Sequence, residues 1–343
     1  MHGRCAGDYV FARLAVKAMY KKFFQLQRNP FEVSPDPSFL FPTKRHNEAL
    51  AALYYGVRRR KGFVVMTGEV GTGKTLLVRC LLQLLNHSNV SYAYVFNSRL
   101  SAIDFLQYIA LDFEIPNPGK TKSELLLQLS NFLIARHRKN LTTVLVVDEA
   151  HHLSAEVLEE IRLLTNLETA QGKLLQILLV GQPELDEKLD SMELRQLKQR
   201  IVLRSYLEPL EHEEARGYIQ RRLELAGAKQ RETLFPPETM ARVYRHSRGI
   251  PRLINTICEN ALINAYARAS QVVTADIIDE VAADLRLNVV HSARPDTAEN
   301  TELWEAAKTL LQLHEQLQQG GKSREGDPRL AVVRGKGKHE PYI

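Results

Sequence analysis

Cysteine is scarce in this chain of 343 residues: Cys5, Cys80 and Cys258 are odd in number and far apart. No C-x-x-C pair occurs, so neither a disulfide framework nor a zinc site is read from them. Cys80 and Cys258 fall within helical apolar patterns and are expected as buried packing residues, which fits a reducing compartment. Also missing is an apolar run of the roughly 18 residues that a bilayer-spanning helix needs. The most apolar early stretch, Tyr9–Met19, is broken by Arg13 and Lys17 and lacks the core and cleavage site of a signal peptide. The expected location is therefore cytoplasmic, peripheral to an inner membrane only through a partner. No sign of charge dominates either: 46 basic residues stand against 40 acidic ones, a net charge of +6. Gly320–Ile343 alone hold six Lys or Arg and three acids, so the remainder is near balance. That permits a nucleic acid or an anionic surface as partner and argues for neither. No internal repeat is found.

What is present is an ordinary globular balance, 44% hydrophobic and 25% charged. After a loose extension over 1–28, Asn29-Pro30-Phe31 and Pro35-Asp36-Pro37 forbid helix and give an extended, turn-rich lead-in. Helical spacing follows over Lys44–Arg59. Short strands that are apolar throughout then alternate with helices: Phe63–Thr67, Ser91–Phe96, Thr143–Val147, Leu174–Val180 and a possible fifth at Ile201–Tyr206. The helices between them are read at Leu76–Leu85, Ala102–Phe113, Ser123–Arg138 and Ala155–Leu167, the last capped by Ser154. Such strands indicate a parallel sheet sandwiched by helices, an α/β domain over 29–208. Beyond Pro209 only helices are read, at Glu211–Ala226, Pro237–Ser247, Arg252–Ala269 and Thr274–Leu285. They form a small all-helical domain over 209–286. A linker, an amphipathic helix at Thr301–Gln319 and a disordered basic tail complete 287–343.

Two motifs carry chemistry. Gly68-Glu69-Val70-Gly71-Thr72-Gly73-Lys74-Thr75 fits G-x-x-x-x-G-K-[ST] and lies between an apolar strand and a helix, as a phosphate-binding loop must. The glycines let backbone N–H groups turn inward around phosphates, and the helix that opens at Leu76 adds its dipole. Lys74 is placed to reach the β- and γ-phosphates of ATP, and the Thr75 hydroxyl to hold Mg2+. The second motif is Val144-Leu145-Val146-Val147-Asp148-Glu149, an apolar strand that delivers two carboxylates to the carboxyl edge of the sheet, where ligands bind. Asp148 is expected to order the metal, and Glu149 to polarise the attacking water. Between Lys74 and Asp148 there is room for one strand and two helices. The two motif strands are therefore expected to be separated in the sheet by an inserted strand.

These motifs, together with Asn29-Pro30-Phe31, Leu164-Thr165-Asn166-Leu167-Glu168-Thr169, Gly181-Gln182-Pro183-Glu184-Leu185, Gln199-Arg200-Ile201 and Gly249-Ile250-Pro251-Arg252-Leu253-Ile254-Asn255, make the chain resemble the AAA+ ATPases related to general secretion pathway protein A. The resemblance runs from about Met19 to Leu285. It implies a P-loop NTPase fold whose helical domain is a lid. It implies a γ-phosphate sensor at Gln182 and a second sensor at Arg252. Arg200 or Arg195 is implied as the arginine that reaches a neighbouring subunit's site. The family's full-length secretion protein joins this ATPase to a membrane segment and a wall-binding domain, and neither pattern is read here.

The function expected from sequence is thus an ATP-binding, Mg2+-dependent ATPase. It is expected to act as a homo-oligomer on a protein partner in a secretion, envelope or exopolysaccharide-export system. The alternative is a DNA-binding AAA+ ATPase that recruits a transposase-like partner. Only the basic tail (Arg334, Lys336, Lys338) and the family's wider kinship support it.

Overall fold

Strands with no polar face must be covered on both sides, and that requirement sets the architecture of the part that holds the motifs. The computed structural model describes residues 20–287, apart from 87–88, 97–99, 117–120, 171 and 230 and the side chain at 86. The expectations for 1–19, for Cys5 and for everything from 288 onward lie outside the described residues. The described residues belong to one compact unit.

The chain runs α1 (Lys44–Arg58), β1 (Phe63–Gly68), α2 (Lys74–Asn86), β2 (Val90–Val95), α3 (Ala102–Asp112), α4 (Lys122–Arg138), β3 (Thr142–Val147) and α5 (Ala155–Leu164). A small hairpin follows, β4 (Glu168–Thr169) and β5 (Gly172–Lys173), and then β6 (Gln176–Gly181), α6 (Glu184–Leu189), α7 (Arg195–Lys198) and β7 (Leu203–Leu207). The helical part comprises α8 (His212–Leu225), α9 (Arg231–Leu234), α10 (Pro237–Ser247), α11 (Pro251–Ala267) and α12 (Ala275–Asp284).

Five strands pair in parallel in the order β2-β3-β6-β1-β7. As expected, the strand carrying the glycine loop (β1) and the strand carrying Asp148 (β3) are separated by an inserted strand, β6. Alternation sends successive residues to opposite faces. Phe63, Val65, Leu145, Val147, Ile177 and Leu179 enter the cluster formed with α3, α4 and α5. Val64, Met66, Val144, Val146, Leu178 and Val180 enter the other, with α1 and α2. A third cluster fills the helical part. It draws in Tyr20, Phe24, Leu26 and Phe31 from the N-terminal lead-in alongside Ile219, Ile254, Cys258 and Ile278. Cys80 and Cys258 are both buried, as expected.

Local chemistry sets the ends of the elements. Ser154 caps α5, accepting from Val157 N at 3.3 Å. That helix stops at Leu164, short of the Leu167 read from sequence: Thr165 Oγ1 turns back to Arg162 O at 2.6 Å, and the chain enters the hairpin. Leu174 and Leu175 are buried, yet the next strand opens only at Gln176. The Gln176 side chain there accepts from Gly62 N at 2.8 Å and fixes the register against β1. The fifth strand is real but begins at Leu203, not Ile201.

Candidate functional site

β1 ends at the carboxyl edge and releases the glycine loop. The turn depends on Gly71 (φ +82°) and Gly73 (φ +103°), conformations that side chains rarely adopt. A Cβ on Gly71 would lie 2.6 Å from Arg252 Cβ, because the loop abuts the start of α11 and Arg252 N donates to Gly71 O at 3.2 Å. Lys74 is buried, and its Nζ donates to Gly68 O at 2.7 Å and Glu69 O at 2.9 Å. Burial pushes the Lys74 pKa down, against the pull of Glu149 and Asp148. A buried ammonium held only by neutral carbonyls is a poised anion site.

Beneath the loop sits His46. Its Nε2 lies 3.3 Å from Thr72 O and its Nδ1 lies 2.7 Å from Thr43 Oγ1. A carbonyl can only accept, so Nε2 carries the proton and Nδ1 accepts from the Thr43 hydroxyl. That hydroxyl also caps α1 by accepting from His46 N at 3.2 Å. Burial lowers the pKa of His46 and keeps this neutral arrangement.

β3 presents Asp148 beside the loop, as the sequence implied. Asp148 Oδ2 accepts from Thr75 Oγ1 at 2.9 Å and from the Tyr94 hydroxyl at 2.6 Å, and Oδ1 accepts from Glu149 N at 2.9 Å. Burial pushes the Tyr94 pKa up, with Asp148 reinforcing it, so the phenol stays a donor. Glu149 sits in the left-handed region at φ 52°, a conformation that costs a non-glycine residue about 1 kcal/mol. Its Oε2 is buried without a hydrogen-bond donor and lies 3.5 Å from His151 Nδ1. The Gln182 backbone N–H is 3.4 Å from that same Nδ1, so the nitrogen accepts and the ring is neutral. Burial, then His152, lowers the His151 pKa accordingly.

These groups open onto a cleft of about 240 Å³. One wall is Val70, Gly71, Gly73, Lys74, Thr75 and Leu76, with Glu149 and Gln182 beside it. Arg252, Pro251, Asn255, Tyr218 and Arg222 of the helical part form the second, and Glu32–Asp36 with Phe39 the third. Gly68, Glu69 and Thr72 support the loop from behind, and Asp148 supports Thr75. Gln182 and Arg252, the two positions that the resemblance implied as sensors, both line this cleft. Arg195 and Arg200 do not line the cleft: Arg195 is exposed on α7, and Arg200 stands near Glu168 of the hairpin.

The chemistry suits a magnesium nucleotide. Thr75 and Asp148 offer two hard oxygens, and Glu149 lines the adjoining cleft with its Oε2 turned inward beside His151. Among the described residues no three His, Cys, Asp or Glu side chains gather to hold a metal unaided. A cation held by Thr75 and Asp148 would complete its shell with water and phosphate oxygens.

Sequence reading missed Tyr94, His46 and, above all, Arg222. Its guanidinium is buried, donating to Pro30 O at 2.5 Å, to the Tyr218 hydroxyl at 2.6 Å and to Glu32 O at 3.1 Å, and it stacks 4.5 Å from the Phe39 ring. It binds the proline-rich lead-in to α8 and so builds the third wall. A signal existed: Ala215, Tyr218, Ile219, Arg222 and Leu223 form one core-facing stripe, with an arginine at an apolar position.

The part of the chain that holds the loop and Asp148 is matched among known proteins. An AAA domain family matches residues 57–189. General secretion pathway protein A of Aeromonas hydrophila is 47% identical over 261 residues, 76% of this chain and 47% of that protein. The Mu-like prophage FluMu DNA transposition protein B of Haemophilus influenzae is 36% identical over 97 residues, 28% of this chain and 31% of that protein. The chain thus spans less than half the length of either curated relative. Among solved structures, the Aeropyrum pernix ORC2 protein superposes with a TM-score of 0.58 at 19% identity, covering 75% of this chain and 72% of that one. The Drosophila ORC bound to DNA superposes with a TM-score of 0.59 at 19% identity, covering 79% and 66%. These structures share the fold: a five-stranded parallel sheet with flanking helices, followed by C-terminal helices.

Proposed function

The chain is a member of the AAA+ P-loop family related to general secretion pathway protein A, and from that we propose that it is a Mg2+-dependent ATPase working as a homo-oligomer on a protein partner of a secretion or envelope system. The observation that carries the reading is the convergence of a buried, carbonyl-held Lys74, of Thr75 bonded to Asp148, and of Glu149 at one cleft.

In this reading Lys74 leaves its two carbonyls for the β- and γ-phosphates, and the loop N–H groups bind the rest. Thr75 and Asp148 hold Mg2+, which when bound neutralises charge on the phosphates. Glu149 orients the attacking water and takes up its proton. Gln182 joins the γ-phosphate to the end of β6. Arg252 joins it to the helical lid, so nucleotide state can move the lid against the loop. Arg200, or Arg195, lies away from its own cleft, and so is available to a neighbouring subunit's site, where a fixed cation stabilises transferring phosphate. Action at a cytoplasmic face through a partner fits the lack, among the described residues, of any helix long and apolar enough to cross a membrane.

The test is ATPase rate against protein concentration, with Arg200→Ala and Arg195→Ala alongside. The expected result is a specific activity that rises with concentration and is lost in one variant. A rate independent of concentration and of both arginines would remove the oligomer from the proposal. No Mg2+-dependent hydrolysis under any condition would remove the ATPase.

A further inference from the structure

Two basic runs meet at the edge of the sheet opposite the nucleotide cleft. Arg58-Arg59-Arg60-Lys61 closes α1 and leads into β1, and Arg136-His137-Arg138-Lys139 closes α4 and leads into β3. In a parallel sheet every strand begins at the same edge, so both runs lie there, while Gly68 and Asp148 stand at the other. β1 and β3 flank β6, which puts the runs two strand spacings, about 10 Å, apart. They are joined side by side. Arg60 Nη1 lies 3.3 Å from His137 Nδ1, and Arg60 Nη2 donates to Asn140 O at 2.9 Å and to its Oδ1 at 3.0 Å. Thr169 of the hairpin lies 3.4 Å from His137 Nε2.

The charge on this edge is uncompensated. Arg45, Lys122, Arg162, Lys173, Lys198 and Arg204 each pair with a carboxylate. Arg58, Arg59, Arg60, Lys61, Arg136, Arg138 and Lys139 have no carboxylate within ion-pair distance among the described residues. A cation in the last turn of a helix is favoured by the helix dipole, which accounts for Arg58 or Arg136. It does not account for runs that continue past both helices to the strands. Tyr54 and Tyr55 are exposed on the same end of α1, with Arg58 stacked 6.0 Å from one ring and Lys61 5.7 Å from the other.

We propose that this edge binds the sugar–phosphate backbone of a nucleic acid without sequence preference. Arg60 and Arg136 already donate to Asn140, Thr143 and Thr142, so the groups offered to a ligand are Arg58, Arg59 and Arg138, whose planar forks match phosphate oxygens in a way a lysine point charge does not, beside Lys61 and Lys139. The two tyrosines offer ring faces for unpaired bases. A bilayer surface is disfavoured because the exposed groups beside these runs, Ala135, Asn140, Glu168, Thr169 and Ala170, are polar or small and provide no aliphatic wedge. The site is separate from the ATPase reading: its loss would leave the cleft untouched, and its presence requires no hydrolysis.

The experiment uses the full chain. Fluorescence anisotropy with a labelled mixed-sequence single strand and the corresponding duplex is followed across salt, with and without ATP, beside flotation with phosphatidylglycerol vesicles. The edge variant carries Arg58→Gln, Arg59→Gln, Arg138→Gln and Lys139→Gln, all exposed positions. A second variant carries Arg334→Gln, Lys336→Gln and Lys338→Gln in the tail. The expected result is salt-dependent nucleic-acid binding that weakens at least ~10-fold in the edge variant, with a log–log salt slope shallower by about 2 to 4. The unfolding midpoint should hold, and the tail variant should keep most of the affinity. Binding lost only with the tail cations, vesicle binding without nucleic-acid binding, or no nucleic-acid binding at all would each overturn the proposal.

Discussion

The Tyr94 hydroxyl lies 2.6 Å from Asp148 Oδ2, the same carboxylate oxygen that accepts from Thr75 at 2.9 Å. Two donors on one oxygen fix the carboxylate's orientation, and Tyr94 reaches it from β2, the strand next to β3. If Asp148 orders a metal, Tyr94 orients the group that does so.

Tyr94→Phe is therefore expected to raise the Mg2+ concentration needed for half-maximal ATPase activity by about 10-fold, the order found when a supporting hydrogen bond to a metal ligand is removed. A magnesium titration at saturating ATP measures it, with circular dichroism as the check on folding. An unchanged requirement would mean that Thr75 and the Glu149 backbone N–H suffice to fix the carboxylate.

Lys74→Ala is expected to abolish nucleotide binding, because the buried ammonium supplies the loop's side-chain charge. Glu149→Gln should retain binding and lose at least ~100-fold in turnover, the lower end of what a positioned base contributes. Nucleotide affinity by fluorescence and single-turnover rates separate the two variants. Wild-type affinity in the first, or wild-type turnover in the second, would displace the assignment of roles.

Arg222→Met keeps the length of the side chain and removes three donated hydrogen bonds to Pro30, Tyr218 and Glu32. The buried acceptors left behind should destabilise the protein by about 3 kcal/mol, read as a lower midpoint in urea. Because the lead-in forms one wall of the cleft, nucleotide affinity should fall as well. A stable variant with weak binding would show that Arg222 acts on the wall and not on the fold.

His46 predicts an acid limb in stability. Its folded pKa lies below the ordinary histidine value of 6.5 because burial disfavours the charged ring. Below about pH 6.5 the unfolded chain binds a proton that the folded one resists. Its contribution is complete above that pH and is lost as pH falls through the folded pKa. Thermal midpoints between pH 5 and 8 should fall more steeply on the acid side in the wild type than in His46→Gln. Parallel profiles would exclude His46 as the source.

Gly71→Ala should leave the sheet intact and separate the loop from the lid, since the new methyl would meet Arg252 at 2.6 Å in a left-handed conformation. Loss of nucleotide binding with a near-native unfolding midpoint is expected. Normal binding would mean that α11 can yield at that contact.

The sequence by itself determined the parallel sheet, the inserted strand between the two motif strands and the identities at the heart of the cleft. The reason is that these are local facts: an apolar run must be a buried strand, a glycine loop between strand and helix must turn its N–H groups inward, and chain length limits which strands can be neighbours. Tertiary structure decided what no spacing encodes. Arg222 reads as an error in an apolar stripe until the lead-in folds back over 190 residues to offer it carbonyls. Tyr94 reads as one more strand aromatic until β2 docks beside β3 and its hydroxyl meets Asp148. The basic runs at Arg58 and Arg136 lie 78 positions apart and become one surface only because parallel pairing starts β1 and β3 at a common edge. Contacts between segments distant in sequence depend on how the elements pack, and the order of strands in the sheet settles that.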